Sequence, residues 1–84
     1  MSYRVELKPQ AQKEYEALDS QDRRRILKAL ARLSTAPRGG PNVKALQGGG
    51  YRLRVGDYRV LYVIEDAILL VLVVRVGHRR EVYR

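Results

Sequence analysis

The segment Tyr51-Arg52-Leu53-Arg54-Val55-Gly56-Asp57-Tyr58-Arg59-Val60-Leu61-Tyr62 leaves the chain few ways to fold. Apolar and charged residues alternate before a Gly-Asp pair, and an apolar run follows it. That pattern predicts two β-strands joined by a two-residue turn, with Gly56 taking the positive φ of a type II′ hairpin. A two-residue turn also fixes the register. Val55 falls opposite Tyr58, and Arg54 falls directly opposite Arg59. Side chains alternate along a strand, so Tyr51, Leu53 and Val55 share one face, while Arg52 and Arg54 share the other with Arg59. Like charges placed opposite each other weaken a strand pair. Folding alone would not select this arrangement, but an anion with closely spaced charges, such as an RNA backbone, would neutralise it.

Around this hairpin the sequence predicts a strand at Tyr3–Leu7, whose residues alternate. Pro9 suits the first turn of a helix over 9–18, with Ala11, Tyr15 and Leu18 at helical spacing. Asp19 or Ser20 caps a second helix over 20–35. There Ile26, Leu27, Leu30 and Leu33 form an apolar stripe, and Arg23, Arg24, Arg25, Lys28 and Arg32 take the other positions. Pro37, Gly39, Gly40 and Pro41 end that helix. Residues 42–50 read as a flexible connector closing on Gly48-Gly49-Gly50. No Gly-Lys-Ser/Thr follows these glycines, so they are not a phosphate-binding loop. Glu65-Asp66 is a second turn. The strand Ala67–Val76 follows, apolar enough to lie centrally in a sheet, and Gly77 breaks it. The predicted order is βααβββ, one domain over 1–84 of the α+β class. A helical hairpin packs on one face of a small, antiparallel-dominated sheet, and the arginines lie on the other face.

Charge sharpens the functional expectation. The 84 residues hold 17 Lys+Arg against 9 Asp+Glu, a net charge of +8. A domain this basic favours a polyanionic partner, with nucleic acid foremost. There is no Cys and a single His, so neither a thiolate nucleophile nor a ligand set at metal spacing is expected, and no cofactor is implied. The first residues lack a signal-peptide pattern, and the longest apolar run is far below the ~20 residues that span a bilayer. A cytoplasmic protein without membrane attachment is expected. Beyond the last predicted strand come His78, Arg79, Arg80 and Tyr83, in a position where a rigid scaffold aims site residues. The imidazole of His78 can exchange protons near neutral pH. Tyr83 can dock on the sheet, stack on a base or move a proton, and a cationic setting would favour its phenolate.

The blocks Tyr51–Tyr62 and Arg75-Val76-Gly77-His78-Arg79-Arg80-Glu81-Val82-Tyr83, on a βααβββ order, resemble the RelE/ParE family of bacterial toxins over nearly the whole chain. RelE-like members are ribosome-dependent endoribonucleases that cut mRNA in the ribosomal A site, whereas ParE-like members inhibit DNA gyrase. The resemblance implies a metal-independent mRNA interferase acting through ribose 2′-OH attack. By position it assigns Arg59, Arg79, Tyr83 and His78 to catalysis, and Arg52, Arg54 and Arg80 to RNA binding. It also implies a RelB-like antitoxin, the ribosome and mRNA as partners, and a higher-order toxin–antitoxin complex. Two features depart from the best-known RelE members. Arg stands at 52 and 54 where they carry Lys, and Arg in effect cannot lose its proton to act as a base. The chain also stops after Tyr83, without the longer C-terminal segment of some relatives. A gyrase inhibitor and a non-catalytic RNA-binding module are the alternative readings.

Overall fold

The computed structural model describes residues 2–78. Arg79, Arg80 and Tyr83 lie outside them. The chain runs through β1 (Arg4–Leu7), α1 (Pro9–Glu16), α2 (Ser20–Leu33), β2 (Val43–Ala45), β3 (Tyr51–Val55), β4 (Tyr58–Glu65) and β5 (Leu70–His78). The strands form one mixed sheet in the order β1-β5-β4-β3-β2. β1 pairs parallel with β5, and the other neighbours are antiparallel. The architecture is α+β, two helices on one face of a sheet dominated by antiparallel pairs.

Pro9 stands in the first turn of α1, where its missing N–H would have no partner anyway. Asp19 caps α2 by accepting from the Asp22 N–H at 2.8 Å. Arg23 donates to the Leu18 carbonyl at 2.5 Å, satisfying an acceptor at the turn between the helices. The core joins Ala11, Ile26, Leu30 and Leu33 of the helices to Leu53, Val60, Tyr62, Val71, Val73 and Val76 of the sheet. Tyr15, Leu18, Tyr51 and Tyr58 pack against it, half-buried. The face of the sheet occupied by Tyr51, Leu53 and Val55 is therefore the helix-covered one, and the arginines take the opposite face.

Several boundaries differ from expectation. Segment 42–50 contains the short edge strand β2 rather than a flexible connector. Gly48, Gly49 and Gly50 are an ordered turn, all at positive φ (85°, 109° and 83°), which closes β2 onto β3. Leu27 leaves the apolar stripe and stays 58 % exposed, while Ala29 is buried. β5 starts three residues later than Ala67. Asp66–Ile68 instead form a 3-10 turn, and Leu69 turns the chain at φ 49°. At its other end β5 continues through Gly77, which pairs with Arg59, to His78.

Candidate nucleic-acid interface

The hairpin turn holds the arginines in the predicted register. Gly56 sits at φ 60°, Val55 pairs with Tyr58, and Arg54 pairs with Arg59. A side chain at Gly56 would be strained by that φ, and its Cβ would meet the Arg25 guanidinium at 2.5 Å. Two rows of residues cross the arginine face. One runs Lys44, Arg52, Leu61, Arg75, and the next runs Arg54, Arg59, Gly77. Lys44 was not singled out in the sequence, because the strand that aims it is too short to show alternation.

The like-charged pair is relieved by splaying. Arg54 is exposed and donates to the Asn42 side-chain carbonyl at 3.2 Å, toward β2. Arg59 is half-buried and donates to the carbonyls of Tyr58 at 3.0 Å and Gly56 at 3.3 Å, toward the turn. Both bonds go to neutral acceptors, so both charges stay available to an anion. Arg52 is half-buried between Lys44 and Leu61 in its row. Arg75 differs, because Glu14 of α1 takes it at 2.9 Å. The same carboxylate accepts the Val76 N–H at 2.8 Å. β1 pairs only with Leu70–Val73, so Glu14 covers the part of the β5 edge that β1 leaves open.

His78 ends β5 opposite Tyr58, and the two rings meet edge-on with centroids 6.1 Å apart. The Tyr58 hydroxyl donates to Asp22 on α2 at 3.0 Å. Strand parity thus places His78 on the helix-covered side, while its neighbour Gly77 shares the row of Arg54 and Arg59. The structure brings together Arg52, Arg54 and Arg59, adds Lys44 to them, and sets His78 on the other face.

A second polar cluster also escaped sequence reasoning. Arg38, in the loop after α2, makes a bidentate ion pair with Asp66, at 3.0 and 2.7 Å. Tyr3 donates to the same carboxylate at 2.7 Å, and Arg38 donates to the Tyr51 hydroxyl at 3.1 Å. Arg38, with Tyr3, holds the Asp66 carboxyl down to about 2, and the carboxylate in turn pushes the Tyr3 phenol up. This cluster ties the loop, β1 and the turn before β5 together. Its members are too far apart in sequence to be read as a group.

A sequence model of the ParE toxin of the type II toxin–antitoxin system parDE matches residues 5–83. The chain belongs to this toxin family. Solved structures agree with the assignment. The toxin–antitoxin complex RelBE2 of Mycobacterium tuberculosis contains a chain matched at 29 % identity and TM-score 0.81, over 94 % of this chain and 100 % of that one. A double arginine-to-alanine variant of Escherichia coli RelE in the free state matches at 30 % identity and TM-score 0.81, covering 99 % of this toxin and 90 % of that chain. The intact E. coli RelBE complex contains a match at 31 % identity and TM-score 0.79, over 92 % and 96 % of the two chains. No curated protein sequence matches. The protein is a type II toxin of RelE/ParE fold.

Proposed function

We propose that this toxin is a ribosome-dependent endoribonuclease, neutralised by a cognate RelB-like antitoxin. One observation carries the reading: Arg52, Arg54 and Arg59 stand together on the sheet face that the helices leave open, in a register that weakens the hairpin unless an anion is bound. Guanidinium groups present a rigid fork of donors that fits phosphate oxygens.

In the proposed reaction the ribose 2′-oxygen attacks the adjacent phosphorus, and the bond to the 5′-oxygen breaks. The products are a 2′,3′-cyclic phosphate and a 5′-hydroxyl. One proton leaves the 2′-oxygen and one reaches the departing 5′-oxygen. Arg59 and Arg79 would stabilise charge developing on the non-bridging oxygens. Arg52, Arg54 and Arg80 would hold the backbone on either side. Tyr83 takes the proton-carrying role, and His78, on the Tyr58 face, is the alternative carrier. No built-in acid–base pair is strong enough to cut free RNA quickly, so the ribosome supplies the reactive geometry. Primer extension on translated mRNA, with Tyr83→Phe and Tyr83→Ala beside the wild type, tests the scheme. Stops inside the message that require both toxin and ribosome support it. An uncut message under translation overturns it.

The family match favours a second reading, because the matching sequence model is that of ParE. A toxin of that kind would inhibit DNA gyrase without catalysis. Loss of supercoiling by isolated gyrase, with translated mRNA left intact, would select it.

A further inference from the structure

Where α2 passes β3 and the loop before β2, a groove of about 550 Å³ opens beside the arginine face. Ala29, Leu33 and Leu53 lie in its floor, all buried members of the core. Its rim carries Arg25, Lys28 and Arg32 of α2, with Arg54 of β3 also lining it. The three cations of α2 are spaced three and four residues apart and so form one stripe. No carboxylate and no aromatic ring lines the groove. Arg25 stands 3.8 Å from Asp22, and Arg54 bonds only to the neutral Asn42 amide. Lys28 and Arg32 have no acidic partner among the described residues.

We infer that this groove seats an acidic, amphipathic segment of the cognate antitoxin, with apolar side chains on the floor and carboxylates against Lys28, Arg32 and Arg54. The inference rests on the toxin–antitoxin reading and adds the surface and the chemistry of the segment. Two observations favour a peptide over RNA. A phosphate backbone has no use for an apolar floor, and a base would need a ring to stack on, which the groove lacks. A peptide that orders on contact gains from both its apolar and its acidic side chains. Arg54 gives the site a consequence. It lines the groove and also opposes Arg59 on the other face of the sheet, so an antitoxin carboxylate that takes its guanidinium removes one cation from the arginine cluster.

The probe is the purified product of the reading frame adjacent to the toxin gene, titrated against the full-length toxin by calorimetry. The double reversal Lys28→Glu/Arg32→Glu should weaken binding ~30-fold or more, and the loss should shrink as salt is raised. Lys13→Glu/Arg24→Glu makes the same change in net charge on exposed helix positions outside the groove, and should weaken binding less than ~3-fold. Far-UV circular dichroism checks that each variant folds. A readout independent of the reversals uses the absence of cysteine from the chain: Lys28→Cys carrying a photo-crosslinker should attach to an antitoxin segment that mixes acidic and apolar residues. Equal weakening by both reversals, or crosslinks to a segment lacking acidic residues, overturns the groove assignment while leaving the antitoxin reading intact. Ribosome binding lost through the groove reversal, with antitoxin binding unchanged, reassigns the groove to RNA and overturns the inference. Failure of the adjacent product to bind wild-type toxin overturns both readings.

Discussion

Two side chains show how single residues hold the loop before the sheet. Tyr62 is 1 % exposed, stacks on Tyr51 at 5.7 Å, and donates its hydroxyl to the Pro37 carbonyl at 2.6 Å. Burial pushes its phenol up to about 12. Tyr62→Phe keeps the ring but leaves a buried carbonyl without its donor, which costs about 1–3 kcal/mol. Urea denaturation should show that loss as a lower midpoint with an unchanged slope. Asp66 acts through charge instead. Its folded carboxyl titrates at about 2 against an ordinary value of 3.8, so the unfolded chain takes up the proton first as pH falls. Its contribution is complete above the ordinary value and is lost as pH drops through the folded one. The stability difference between wild type and Asp66→Asn should therefore hold steady from about pH 7 to 5 and shrink between about pH 4 and 2. A difference that does not change with pH would show that the Arg38 pair contributes nothing through ionisation.

At the scale of elements, the helix layer rests on residues such as Leu30, 4 % exposed in the core beside Ile26 and Leu33. Leu30→Ala should cost about 2–5 kcal/mol, read from chemical denaturation. The same substitution at exposed Leu27 should change stability by less than ~0.5 kcal/mol. That contrast marks where the sequence could be read and where it could not. Periodicity identified the helix, but it could not tell that Leu27 points away from the sheet while Ala29 points into it. The hairpin was legible to the residue, because a two-residue turn leaves no freedom in register. β2 was not legible, since a strand of three residues, Val43-Lys44-Ala45, is too short to show a period. With it went Lys44, the fourth cation of the arginine face. The limits of β5 were missed for tertiary reasons. Arg38 and Tyr3 anchor Asp66, which holds Ala67 and Ile68 in a tight turn, and pairing with Arg59 keeps Gly77 in the strand. The arginine cluster was thus visible through register alone, whereas the place of His78 depended on where β5 ends.

On the scale of the whole molecule, charge and architecture separate two partner surfaces. A net charge of +8 would attract any polyanion, but attraction alone does not place a phosphate. The fold does so by confining Arg52, Arg54, Arg59 and Lys44 to one sheet face, while Arg25, Lys28 and Arg32 line the groove beside α2. A partner that contacts phosphates through the sheet face releases counterions, so its affinity falls with salt at a slope set by the number of contacts. Each of Arg52→Gln, Arg54→Gln and Arg59→Gln should therefore weaken toxin binding to ribosomes and lower the salt slope by ~1. Arg24→Gln, on the exposed face of α2, should leave the slope where it was. The arginine variants should fold as well as the wild type. Removing one charge from the opposed pair Arg54–Arg59 should raise stability by up to ~1 kcal/mol, or leave it equal where the bond to Asn42 offsets the gain. Filter binding at several salt concentrations, paired with urea denaturation of the same proteins, separates the two effects. If Arg54→Gln lowers stability and leaves the salt slope unchanged, the pair is structural, and phosphate recognition must lie with other cations of the toxin.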